Sequence, residues 1–74
     1  MSNEDEKKLL EAIFYKNELD QNKRSVDALI SLLEHKGTSH PQYNQLDYLK
    51  NRNKEIEKQL ISLNEIINNL KAKI

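Results

Sequence analysis

The sequence predicts an all-α fold, a two-helix antiparallel coiled-coil hairpin, and three observations carry that expectation. Leu46, Leu49, Asn53, Ile56, Leu60, Leu63, Ile67, Leu70 and Ile74 recur at alternating steps of three and four. That period of about 3.5 residues, held for about four heptads, marks a helix whose narrow apolar seam lies along another helix. The same spacing joins Ala12, Tyr15, Leu19, Asn22, Val26, Leu29 and Leu33 in the first half. Between the two rows, Gly37-Thr38-Ser39-His40-Pro41 holds the only Gly and the only Pro of the chain. It is the one strong breaker cluster.

The first helix is expected over residues 4–36. Ser2 with Asp5, or Asn3 with Glu6, is spaced to cap its free amides, and the acidic start suits the N-terminal end of the helix dipole. His35 and Lys36 suit the opposite end of the dipole, and Gly37 suits the left-handed position just beyond. The turn is expected at residues 37–39. Ser39 with Gln42 is a second candidate capping box, with Pro41 tolerated in the first turn. The second helix is expected over residues 40–72. Two helices of about 50 Å joined by a short loop fold back on each other.

Centring the turn near Ser39 sets the pairing. Leu33 meets Leu46, Leu19 meets Leu60 and Ala12 meets Ile67. Asn22 and Asn53 fall in adjacent layers, placed to hydrogen-bond and so to fix the register, because slippage would bury each amide alone. Lys23 comes opposite Glu57, with compatible charge.

Composition bounds the function. A chain of 74 residues is one domain at most and buries a small core. Its 12 basic and 12 acidic side chains balance, which argues against nucleic acid as the main partner. The absence of Cys excludes a disulfide framework, a thiol nucleophile and a zinc–thiolate site. No apolar run approaches the length that spans a bilayer. The acidic stretch from Met1 to Lys8 lacks the apolar core of a secretory signal, so a cytoplasmic protein is expected.

Few residues invite chemistry. His35 and His40 flank the turn, but only Glu34 and Asp47 stand near enough in sequence to complete a metal site, and two solvated histidines are the expectation. A single Gly leaves no phosphate-binding loop. Ser39 beside His40 makes no triad, because a hairpin offers no pocket to hold a base and oxyanion donors together. No catalysis, metal or cofactor is expected. The informative residues are instead apolar ones off the seam. Leu10, Ile13 and Phe14 fall on the outer face of the first helix, with Leu9 at its edge. Ile66 flanks the second seam and Ile61 lies outside it. Leu10, Ile13, Phe14 and Ile66 are the expected contact surface for another chain, since adjacent exposed apolar residues mark such surfaces.

Gln42-Tyr43 soon after the turn, preceded by Gly37 and Pro41, resembles the YscE/SsaE/EscE family of type III secretion needle co-chaperones. So do the apolar phase of Leu46, Leu49, Ile56, Leu60 and Leu63 and the pairs Leu60-Ile61 and Ile66-Ile67. The resemblance spans about residues 26–67. Asn53 stands where those proteins tend to have Leu or Ile, and Ile56 where they tend to have a small residue. The resemblance implies a short cytoplasmic hairpin that pairs with a tetratricopeptide-like chaperone. Together the two would keep the needle subunit unpolymerised. Two alternatives remain. Gly37 to Pro41 and Gln45-Leu46-Asp47 also resemble parts of the sporulation aspartyl-phosphate phosphatases, which implies that Gln45 or Asp47 orients a water at a partner's phospho-aspartate. Tyr43 and Asn44 depart from that motif. A generic coiled-coil dimerisation module is the other alternative.

Overall fold

The computed structural model describes residues 3–74. Two long helices, α1 (Asn3–Lys36) and α2 (Leu46–Lys73), fold into a hairpin that measures 57 × 15 × 13 Å. The hairpin is all-α, as the two seams predict. Ser2, the first expected cap, lies outside the described residues. Asn3 is already the first residue of α1, and Glu4, Asp5 and Glu6 crowd its first turn, where carboxylates meet the positive end of the dipole. At the other end, His35 and Lys36 occupy the last turn.

Gly37 stops α1 as expected, with φ at 68°. Nothing lies within 4 Å of where a Cβ would project, so the site excludes other residues by backbone conformation and not by space. Gly37→Ala should therefore lower stability by about 1–2 kcal/mol, the cost of holding an L-residue in the left-handed region. A thermal midpoint several degrees lower would report it. An unchanged midpoint would mean the turn can rebuild.

The connection is longer than the three residues expected, and α2 begins at Leu46 instead of residue 40. Pro41 is the cause. The residue before a proline is pushed out of the helical region, and His40 is extended at φ −81°, ψ 134°. Two short 3-10 turns, Gly37–Ser39 and Tyr43–Gln45, carry the chain across. The expected Ser39/Gln42 capping box does not form. Ser39 Oγ turns back and donates to the Lys36 carbonyl at 2.7 Å, while the Gln42 backbone N–H donates to His40 Nδ1 at 3.1 Å. His40 thus contributes a side-chain acceptor to the turn.

The α2 seam lies as read. Leu46, Ile56, Ile67 and Leu70 are buried, and Leu49, Asn53, Leu60 and Leu63 are half-buried between them. Ile74 is the exception, 45 % exposed past the end of the helix. The α1 seam is turned by one residue along half its layers. Ala12, Leu19 and Leu33 are buried and Val26 is half-buried, as expected. Between them, however, stand Leu9, Lys16, Lys23 and Ile30, each half-buried, while Tyr15, Asn22 and Leu29 are exposed. This phase brings Leu9 and Ile30 into the apolar row and leaves the Asn22 amide in water. Lysine tolerates the exchange because its stem packs on apolar surface while the ammonium reaches solvent.

The expected Asn22–Asn53 pair is accordingly not formed. Asn53 Nδ2 donates to Asp27 Oδ1 at 2.8 Å, and Lys23 Nζ donates to Asn53 Oδ1 at 3.4 Å. Lys23 also pairs with Asp27 at 3.1 Å and with Glu57 at 3.3 Å, the latter being the expected cross-helix pair. The hydrogen bond to Asp27, with Glu57 adding to it, holds the Lys23 ammonium above its ordinary value against the opposing effect of partial burial. A raised lysine pKa stabilises the fold below the unfolded value and is lost as pH rises through the folded one. The lock is therefore complete at neutral pH and weakens only in strong alkali. Polar groups of this kind in a seam fix register at a cost in stability. Asn53→Leu should raise the thermal midpoint while widening the distribution of registers and assemblies seen by sedimentation. A lower midpoint would show that the amide is a net stabiliser.

Candidate partner interface

The outer surface carries more large apolar side chains than a hairpin of this size can cover. Phe14 is 68 % exposed and Leu10, one turn before it, is 57 % exposed. Ile13 is half-buried, which differs from its expected place on the outer face. The rotation that brings Leu9 into the seam carries Ile13 to the seam's edge.

Helical geometry then separates the fourth expected residue from the other three. Ile13 lies on the flank that Asp27 occupies two heptads later, and Asp27 shares that flank with Glu57 through Lys23. Ile66 stands nine residues beyond Glu57, half a turn around α2 at about 3.6 residues per turn. It is 48 % exposed, on the opposite flank from Leu10, Ile13 and Phe14. The α2 residue that does share their side is Ile61, four beyond Glu57 and 62 % exposed. The exposed apolar patch on this side is therefore Leu10, Phe14 and Ile61, with Ile13 at its seam edge. Its off-seam spacing was visible in the sequence, but its composition depended on the α1 phase.

The opposite flank carries Tyr15, Leu29 and Ile66, all partly exposed. Tyr48 is 67 % exposed near the turn, and nothing in the seam pattern singled it out. Of the polar residues expected to matter, Asn53 sits in the seam and Asn22 is exposed. Gln45 and Asp47 are exposed at the start of α2. Among the described residues no three His, Asp or Glu side chains are grouped to hold a metal ion, and no helix is long and apolar enough to cross a membrane. Comparison with protein-family models, curated proteins and solved structures finds no match to this chain.

Proposed function

We propose that the hairpin is a non-catalytic binding module, and that Leu10 and Phe14 anchor it to a partner protein. The observation that carries this is Phe14, 68 % exposed beside a Leu that is 57 % exposed, on a hairpin with no third layer of its own. Adjacent exposed apolar side chains mark binding surfaces, and an amphipathic helix commonly presents such anchors to a groove. The likeness at Gln42-Tyr43 and in the α2 apolar phase supports a specific form of this reading. The partner is a tetratricopeptide-like chaperone in the cytoplasm, and the pair keeps a type III secretion needle subunit unpolymerised.

The test is affinity capture from the native host with the full chain and with Phe14→Ala as paired baits. Recovery of a tetratricopeptide chaperone and a needle subunit by the first and not the second supports the proposal. Equal recovery by both baits removes Phe14 from the interface. Recovery of a response regulator that loses its phosphate, with the loss abolished by Asp47→Ala, overturns the non-catalytic reading.

A further inference from the structure

The flank away from Phe14 carries a pattern that the binding reading does not use. Along α1 a row at every seventh residue reads Lys8, Tyr15, Asn22, Leu29, Lys36, all exposed. The row is symmetric in character about Asn22: an amide at the centre, a large apolar side chain one heptad to either side, and a lysine at each end. The matching row of α2 has Gln59 at its centre, with Arg52 and Ile66 one heptad to either side, again all exposed. The register held by Lys23 and Glu57 brings Asn22 and Gln59 level with each other, so both rows share one centre.

We propose that this flank is a self-complementary interface, on which a second copy of the chain packs antiparallel about a two-fold axis through Asn22 and Gln59. A two-fold contact requires a patch that matches itself after rotation, and these rows do. Leu29 of one copy covers Tyr15 of the other. The aliphatic stem of Arg52 covers Ile66, and the amides meet their own copies at the axis. Lys36 comes to lie beside Lys8 of the second copy, a like-charge contact at the exposed ends of the interface that salt screens, with Glu11 of that copy within one helical turn. The long face of a rod 57 Å by 15 Å supplies about the area that a standard interface buries on each partner, roughly 800 Å². The product is a four-helix bundle with every neighbouring helix antiparallel. It leaves Leu10 and Phe14 free on the outside, so it stands or falls separately from the partner-binding proposal.

The chain contains no cysteine, which makes single-site crosslinking clean. Asn22→Cys places two thiols at the axis, within the Cα separation of under about 7 Å that a disulfide needs. Under mild oxidation it should form a covalent dimer at least tenfold faster than Phe14→Cys. Sedimentation equilibrium of the full chain should show a monomer–dimer equilibrium, which Leu29→Glu weakens at least tenfold with helical circular dichroism retained. A wild-type chain that stays monomeric at all concentrations overturns the proposal. So does crosslinking at Asn22 no faster than at Phe14.

Discussion

Ile56→Ala is expected to lower the thermal midpoint by about 10–30 °C, whereas Ile61→Ala, five residues along the same helix, should leave the monomer almost unmoved. Ile56 is fully buried, at 0 % exposure, while Ile61 is 62 % exposed. Removing a buried Ile side chain to Ala costs about 2–5 kcal/mol, part of it for the cavity left behind. Each kcal/mol shifts the midpoint of a domain this small by about 4–8 °C. The hairpin has little margin to absorb that loss. Stability runs at about 0.05–0.15 kcal/mol per residue, and a two-helix core lies at the lower end, where the whole fold is worth about as much as this one substitution removes. A softer replacement, Ile56→Val, should cost about 0.5–1.5 kcal/mol and keep the fold. Thermal melts of the three variants by circular dichroism check the ordering. Equal shifts for Ile56→Ala and Ile61→Ala would mean that the seam is not the core.

That contrast also marks how far the sequence could be read. The α2 seam was legible almost residue by residue, because α2 concentrates its Leu and Ile on one stripe and its other faces are mostly Asn, Lys and Glu. In α1 apolar residues are spread around the circumference: Leu10, Phe14, Tyr15, Leu29 and Leu32 are all exposed. Two neighbouring phases share Ala12, Leu19, Val26 and Leu33 and differ only in the layers between. Apolar spacing favoured the phase with Tyr15, Asn22 and Leu29. The chain adopts the one with Lys16, Lys23 and Ile30, since Lys23 gains Asp27, Asn53 and Glu57 as partners. The change of phase also rearranges the off-seam apolar residues. With α1 turned, Ile13 moves toward the core and Ile66 falls on the far flank. The start of α2 failed for a separate and local reason, namely that Pro41 forces His40 out of helical conformation.

Phe14→Ala should weaken association with the partner about thirtyfold and leave the melting of the hairpin itself nearly unchanged. The two halves follow from the same geometry. At 68 % exposure, Phe14 makes few contacts within its own chain, so truncation removes little that holds α1 to α2, and Ala suits a helix better than Phe does. On a partner the ring is a natural anchor. Full burial of a Phe side chain is worth about 1.5–3 kcal/mol, and truncation of an aromatic hot spot commonly costs roughly 2 kcal/mol, or about thirtyfold in affinity. Leu10→Ala should act in the same direction with a smaller effect, because it removes less surface one turn away. Ile13→Ala should lower both stability and association, since Ile13 is half-buried at the seam's edge and adjoins the exposed pair in sequence. If Phe14 instead closed a core within the chain, Phe14→Ala would depress the melting temperature and spare association. Calorimetric titration with the captured partner and a thermal melt, made on one preparation of each variant, separate the two outcomes.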